Sequence, residues 1–168
     1  MKNLDKDKEE IKNLVYSSDI LHFLPKDPFV DKSFKTLFRK TLPVEVRMES
    51  SNMENQVATN EKLLFIISKR EETLGKSVLM IRLESKKDVY FQYQCQIDID
   101  TYSILKEING LSSNFNQFIS GTADLFVKIF KKPFDFLLIF FIDDKGAGRL
   151  EITQNFDYKV NLFDKVCN

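Results

Sequence analysis

Between residues 38 and 48 apolar side chains recur at every second position. In FRKTLPVEVRM, Phe38, Leu42, Val44, Val46 and Met48 share one face, with Lys40 on that face near the strand start. Pro43, Glu45 and Arg47 fall on the other face. A period of two with β-branched residues predicts a half-buried strand. Pro43 has no amide hydrogen, so the strand is expected at an edge, or to begin there. Residues 49–60 are polar and read as a long loop. Further strands are expected in KLLFIIS (62–68), GKSVLMIRLES (75–85) and DVYFQYQCQI (88–97). In the last of these Val89, Phe91, Tyr93, Cys95 and Ile97 share a face. SKKD (85–88) reads as the tight hairpin between the last two.

The period then changes. Asp98 is placed to cap a helix through the amide of Thr101, and Ile97 to staple onto Tyr102. Tyr102, Leu105 and Ile108 form its stripe, and Gly110 is free to adopt the left-handed cap. A second, stronger helix follows. Phe115, Phe118, Ile119, Thr122, Leu125, Phe126, Ile129 and Phe130 recur at spacings of three and four. Asn114 is its expected cap, Lys128, Lys131 and Lys132 suit its negative end, and Pro133 stops it. FDFLLIFFID (134–143) is nearly all apolar, which predicts a strand covered on both faces, by the barrel interior and by the long helix. DDKGAG (143–148) is a turn, RLEITQ pairs back as a hairpin, and YKVNLF (158–163) is a final strand. Residues 1–30 read as an N-terminal arm, because MKNLDKDKEE has no apolar face and LPKDPF carries two prolines; residues 31–168 form the domain.

Composition narrows the function classes. The 168 residues suffice for one domain with a sizeable core. The 25 basic residues balance 25 acidic ones, which argues against a general nucleic-acid binder. The longest apolar run, Phe134 to Ile142, is far shorter than the ~20 residues of a membrane helix. Two distant cysteines, Cys95 and Cys167, and no secretory signal suggest a cytosolic protein with reduced thiols. One histidine, His22, and two scattered cysteines supply neither a structural zinc site nor a His-based catalytic site. KGAGR (145–149) lies between strands and reads as a hairpin turn, not a phosphate loop. Asp143 and Asp144 at the same turn read as solvated acids, and Cys95 as core filler. The residues thus point to a soluble, mostly β domain that is not an enzyme and needs no cofactor or metal.

The chain's end poses its own question. In LEITQNFDYKVNLF, Phe156 and Tyr158 stand on either side of Asp157. They either fold back onto the core or present one aromatic outward.

Four stretches, TLFRKTLPVEVR, VLMIRLESKKDVYFQYQCQIDIDTYSILK, NGLSSNFNQFISGTADLF and LEITQNFDYKVNL, together resemble the N-terminal head domain of the centriolar cartwheel protein, the spindle assembly abnormal protein six family. The likeness runs in order from Thr36 to Leu162. It implies an α+β, mainly β fold: a small β-barrel or sandwich of about seven strands, with a helix-turn-helix inserted before the last three. It implies a structural protein whose heads join and whose coiled coil, expected after Asn168, pairs two chains into a ninefold cartwheel at the centriole or basal body. Partners would be the chain itself and other centriole assembly proteins, with no nucleic acid and no membrane. The location would be the cytoplasm and its cytoskeleton.

In the family one exposed aromatic enters a hydrophobic pocket on the next head. The matching letters here are DYK, which puts Tyr158 at the knob, beside Asp157 and before Lys159; a register two residues earlier makes Phe156 the knob. The pocket corresponds to Leu111, Phe115 and Phe118, near the turn between the helices. Two departures stand out, a Tyr at the knob and Ile119 where many relatives carry proline. Two related readings share the head: a six-like protein of flagellar bases or apical structures, and an adaptor of the related DNA end-joining scaffold class.

Overall fold

The computed structural model describes residues 23–25, 33–49 and 57–155. Among them, seven strands form one curled sheet: β1 (Leu24–Pro25), β2 (Lys35–Met48), β3 (Ala58–Glu71), β4 (Ser77–Ser85), β5 (Gln92–Ile97), β6 (Phe136–Ile142) and β7 (Gly148–Gln154). Two helices, α1 (Ile99–Asn109) and α2 (Phe115–Lys131), are inserted between β5 and β6. The strand order is β1-β5-β4-β3-β2-β6-β7. The fold is therefore mainly β with a helical pair inserted before the last strands. The strand expected at 158–163 lies outside the described residues.

Strands β2 to β5 form an antiparallel meander, as hairpin-linked strands do. The helices then carry the chain across the sheet, which lets β6 run parallel to β2. That pairing covers only Glu45 to Met48. Pro43 precedes it, so the strand is an edge in its first part and interior in its last, which resolves the expectation of an edge strand. β3 starts at Ala58, so the loop read over 49–60 is shorter than expected.

Inside the curl, α2 lays its stripe against β2 and β3. Phe126 is fully buried, with ring centroids 5.8 Å from Phe38 and 5.3 Å from Phe65. Phe140 of β6 meets Phe23 (5.6 Å), Phe91 (5.9 Å) and Tyr93 (5.0 Å). Cys95 is buried among these side chains, and burial pushes its thiol up to about 12. It stays neutral at physiological pH, as a core filler does.

The two sides of the curl meet at Phe23. Its amide donates to the Gly148 carbonyl and its carbonyl accepts the return bond from the Gly148 amide, both at 2.8 Å. Leu24 and Pro25 then pair with Gln94 and Tyr93 of β5. Phe23–Pro25 belong to the stretch read as an arm, and this pairing joins β7 to β5 through them. Gly148 has a steric reason to be glycine: a Cβ there would sit 2.2 Å from Cζ of Phe140.

Several apolar positions depart from the expected faces. Met48, Ile108, Val89 and Phe134 are exposed rather than core. Val89 sits in the turn between β4 and β5, whose backbone is tied by Ser85 Oγ to the amides of Lys87 and Asp88 and by Asp88 to the amide of Tyr90. The turn is thus longer than SKKD, and β5 begins only at Gln92. Phe130 is half-exposed under the Lys40 ammonium, 5.2 Å from its ring. On the outer face of β6 the cover is not the long helix. Phe141 lies between the guanidinium groups of Arg47 and Arg149, at 5.7 and 4.4 Å. Those arginines pair with Glu45, Glu49 and Glu151. Their stems and planar heads keep water off the ring.

Candidate self-assembly site

The corner between α1 and α2 is built from local signals. Asp98 accepts the Thr101 amide at 2.8 Å and caps α1. That amide holds the Asp98 carboxyl below the usual carboxylate range. The cap's contribution is present above the unfolded value, ~3.9, and is lost as pH falls through the lower folded one. Gly110 closes the helix in the left-handed conformation, φ 63°, with its amide on the Lys106 carbonyl. Asn114 and Gln117 form a reciprocal capping box at the start of α2.

Tyr102 ties the corner together. Its hydroxyl lies 2.7 Å from the Ser113 carbonyl and 2.9 Å from Ser113 Oγ. Its ring stacks on Phe115 (5.1 Å) and lies 4.9 Å from Phe118. Tyr102→Phe keeps the ring and strips the buried Ser113 carbonyl of its donor. The expected loss is about 1–3 kcal/mol of unfolding free energy, read as a lower urea midpoint at unchanged slope.

Of the three pocket residues expected from the sequence, Leu111, Phe115 and Phe118 are all buried and belong to the main core. Phe115 also lines a surface hollow. That hollow, about 320 Å³, lies between the β3–β4 turn (Gly75, Lys76, Ser77), Ile99 at the start of α1, and Asn114, Phe115 and Asn116 at the start of α2. Its floor is the Phe115 ring and one lip is Ile99, which is about a third exposed. Its rim is polar. Phe118 packs on the Phe115 ring, with centroids 6.3 Å apart. The expected knob residues, Phe156, Asp157 and Tyr158, lie outside the described residues, as do His22 and Cys167.

Sequence reasoning missed the β3–β4 turn. Leu74 at its tip is 95% exposed and holds φ 71°, ψ 24°. A left-handed conformation costs an L-residue other than glycine or asparagine about 1–2 kcal/mol. The only sequence signal was the Leu74–Gly75 pair between two strands, which marks a turn but does not reveal which residue carries the strain.

The described residues thus place an aromatic-lined hollow at the helix corner of a mainly β fold. The sequence matches the family described as the centriolar protein SAS N-terminal domain, SAS-6, over residues 36–163. The chain belongs to the SAS-6 N-terminal domain family. That span agrees with the resemblance read from Thr36 to Leu162, and the family is structural and non-enzymatic. The fold is similar to the N-terminal domain of C. elegans SAS-6, at 20% identity and TM-score 0.58, covering 76% of this chain and 90% of that one. It is similar also to the N-terminal domain of Leishmania SAS-6, at 19% and 0.60, covering 74% and 89%. A third likeness is to an N-terminal coiled-coil dimer of C. elegans SAS-6, at 17% and 0.61, covering 77% and 75%. No curated protein matches the sequence. Among the described residues no helix is long and apolar enough to cross a membrane.

Proposed function

We propose that this SAS-6-type head joins copies of itself head to head and so helps build the ninefold cartwheel of the centriole or basal body. An aromatic of one copy, Tyr158 or, in the earlier register, Phe156, seats in the hollow at the helix corner of the next. A coiled coil expected beyond Asn168 pairs two chains, so that each pair carries two heads. The working partners are further copies of the chain and other centriole assembly proteins, in the cytoskeletal part of the cytoplasm.

The observation that carries this reading is the Phe115-floored hollow in a chain of this family. Its chemistry suits a tyrosine. The ring gains an apolar floor, and the hydroxyl stays beside the exposed Asn114 and Asn116. Lys76 at the same rim carries charge opposite to Asp157, the neighbour of the proposed knob. The contact joins two different patches, so its angle decides between a closed ring and an open helix. Equilibrium ultracentrifugation tests the reading. Wild type should associate reversibly with rising concentration and Tyr158→Glu should stay monomeric; identical behaviour of the two would refute it.

A further inference from the structure

The β3–β4 turn is the least explained part of the hollow. Its Gly75 and Lys76, with Ser77 at the start of β4, line the cavity, yet Leu74 at its tip points a branched apolar side chain into water. Among the described residues nothing covers it, and 95% of its surface is exposed. It does so from a backbone conformation that glycine adopts freely and leucine does not. Gly75, next to it, shares the left-handed conformation, φ 71°. A turn selected for stability alone would place Asn or Gly at both positions. Two costs therefore coincide at one residue, backbone strain and an exposed apolar side chain. Strain kept at one position of a turn points to a use for the side chain there.

We infer that the β3–β4 turn is the second jaw of the head–head socket, and that Leu74 packs against the incoming copy of this chain beside its aromatic knob. The inference rests on the proposed head-to-head contact and adds a residue from a different element to it. The occupant is a second copy for three reasons. The turn is continuous with the hollow through Gly75, Lys76 and Ser77. The hollow's other walls, Ile99 and Phe115, already offer apolar surface at the same mouth. And a single aromatic in a hollow this small leaves most of a docking surface unaccounted for, so flanking apolar contacts that exclude water around the anchor are required. The intervening Lys76 keeps the jaw from being a uniformly greasy patch and favours an acidic neighbour of the knob.

The test uses a substitution whose two effects have opposite signs. Leu74→Gly relieves the backbone and should raise the thermal midpoint. The same change removes the contact and should weaken head–head association at least five-fold by sedimentation equilibrium. A leucine that served only the turn would give the first effect without the second. Tyr158→Glu is measured alongside. If Leu74→Gly associates like wild type while Tyr158→Glu is monomeric, the Leu74 contact is overturned and the knob survives. If both associate like wild type, the head-to-head reading falls with it.

Discussion

Replacing Phe140 with Ala is expected to cost about 3–5 kcal/mol of folding free energy, the usual penalty for emptying a buried phenylalanine site. Phe140 is fully buried and touches three other rings. It also packs on the bare Cα of Gly148, where no side chain has room. The gap left by the ring would open where the two sides of the curled sheet meet, and neither the Gly148 backbone nor the strand ladder can move in to fill it. Typical domains have ~5–15 kcal/mol in total, so the variant should sit near the edge of folding. Urea unfolding reads the loss directly. Hydrogen exchange adds a local sign: the Phe23 and Gly148 amides, paired across the seam, should lose protection beyond the global change. A cost below about 1 kcal/mol would mean that the seam is not a packed part of the core.

Tyr158→Glu is expected to abolish measurable head association while leaving the fold intact. One aromatic anchor is worth ~2–4 kcal/mol when removed. A small interface built around it supplies roughly −5 to −8 kcal/mol. The loss is then about 30- to 700-fold in Kd, and a carboxylate facing the Phe115 ring adds desolvation cost. Such weakness between isolated heads suits a ring. Coiled-coil pairing and ring closure raise the effective concentration, so contacts too weak to persist singly hold together as a set. The circular dichroism spectrum and the thermal midpoint should match wild type. A variant that unfolds instead would show that Tyr158 belongs to its own molecule's core.

The helix corner was legible in the sequence because its signals are local. Asp98, Gly110 and Asn114 each act within four residues of their own position, and all three do in the structure what their spacing implies. The stripe of α2 was legible for the same reason as far as Ile129. Phe130 falls at the stripe's edge, where Lys40 covers it instead of the core. Ile108 failed through arithmetic. A helix turns ~100° per residue, so steps of three rotate the stripe steadily backward, and by Ile108 it has left the buried side. Alternation misled at Val89, because the pattern continues into a turn that side-chain oxygens of Ser85 and Asp88 hold open.

What remained illegible depends on residues far apart in the chain. Nothing near Phe23 announces that it will pair with Gly148, and nothing near Phe141 announces two arginines from different strands. The hollow is of this kind too. Its floor was anticipated at Phe115, but its far jaw comes from a turn some forty residues earlier. Phe118 packs on Phe115, with ring centroids 6.3 Å apart, and Leu111 belongs to the same buried core.

The most direct measurement of the central claim mixes two defective heads. Ile99→Glu places a charge at the socket lip. The site is partly exposed, and an acid in the first turn of α1 suits the helix dipole, so the fold is kept. Tyr158→Glu removes the knob from the other head. Each variant alone should be monomeric, because every contact it offers has one bad half. An equimolar mixture contains one intact knob and one intact socket, so sedimentation should show a dimer and nothing larger. A mixture that remains monomeric, or variants that each associate as well as wild type, would contradict a knob-and-socket union of heads.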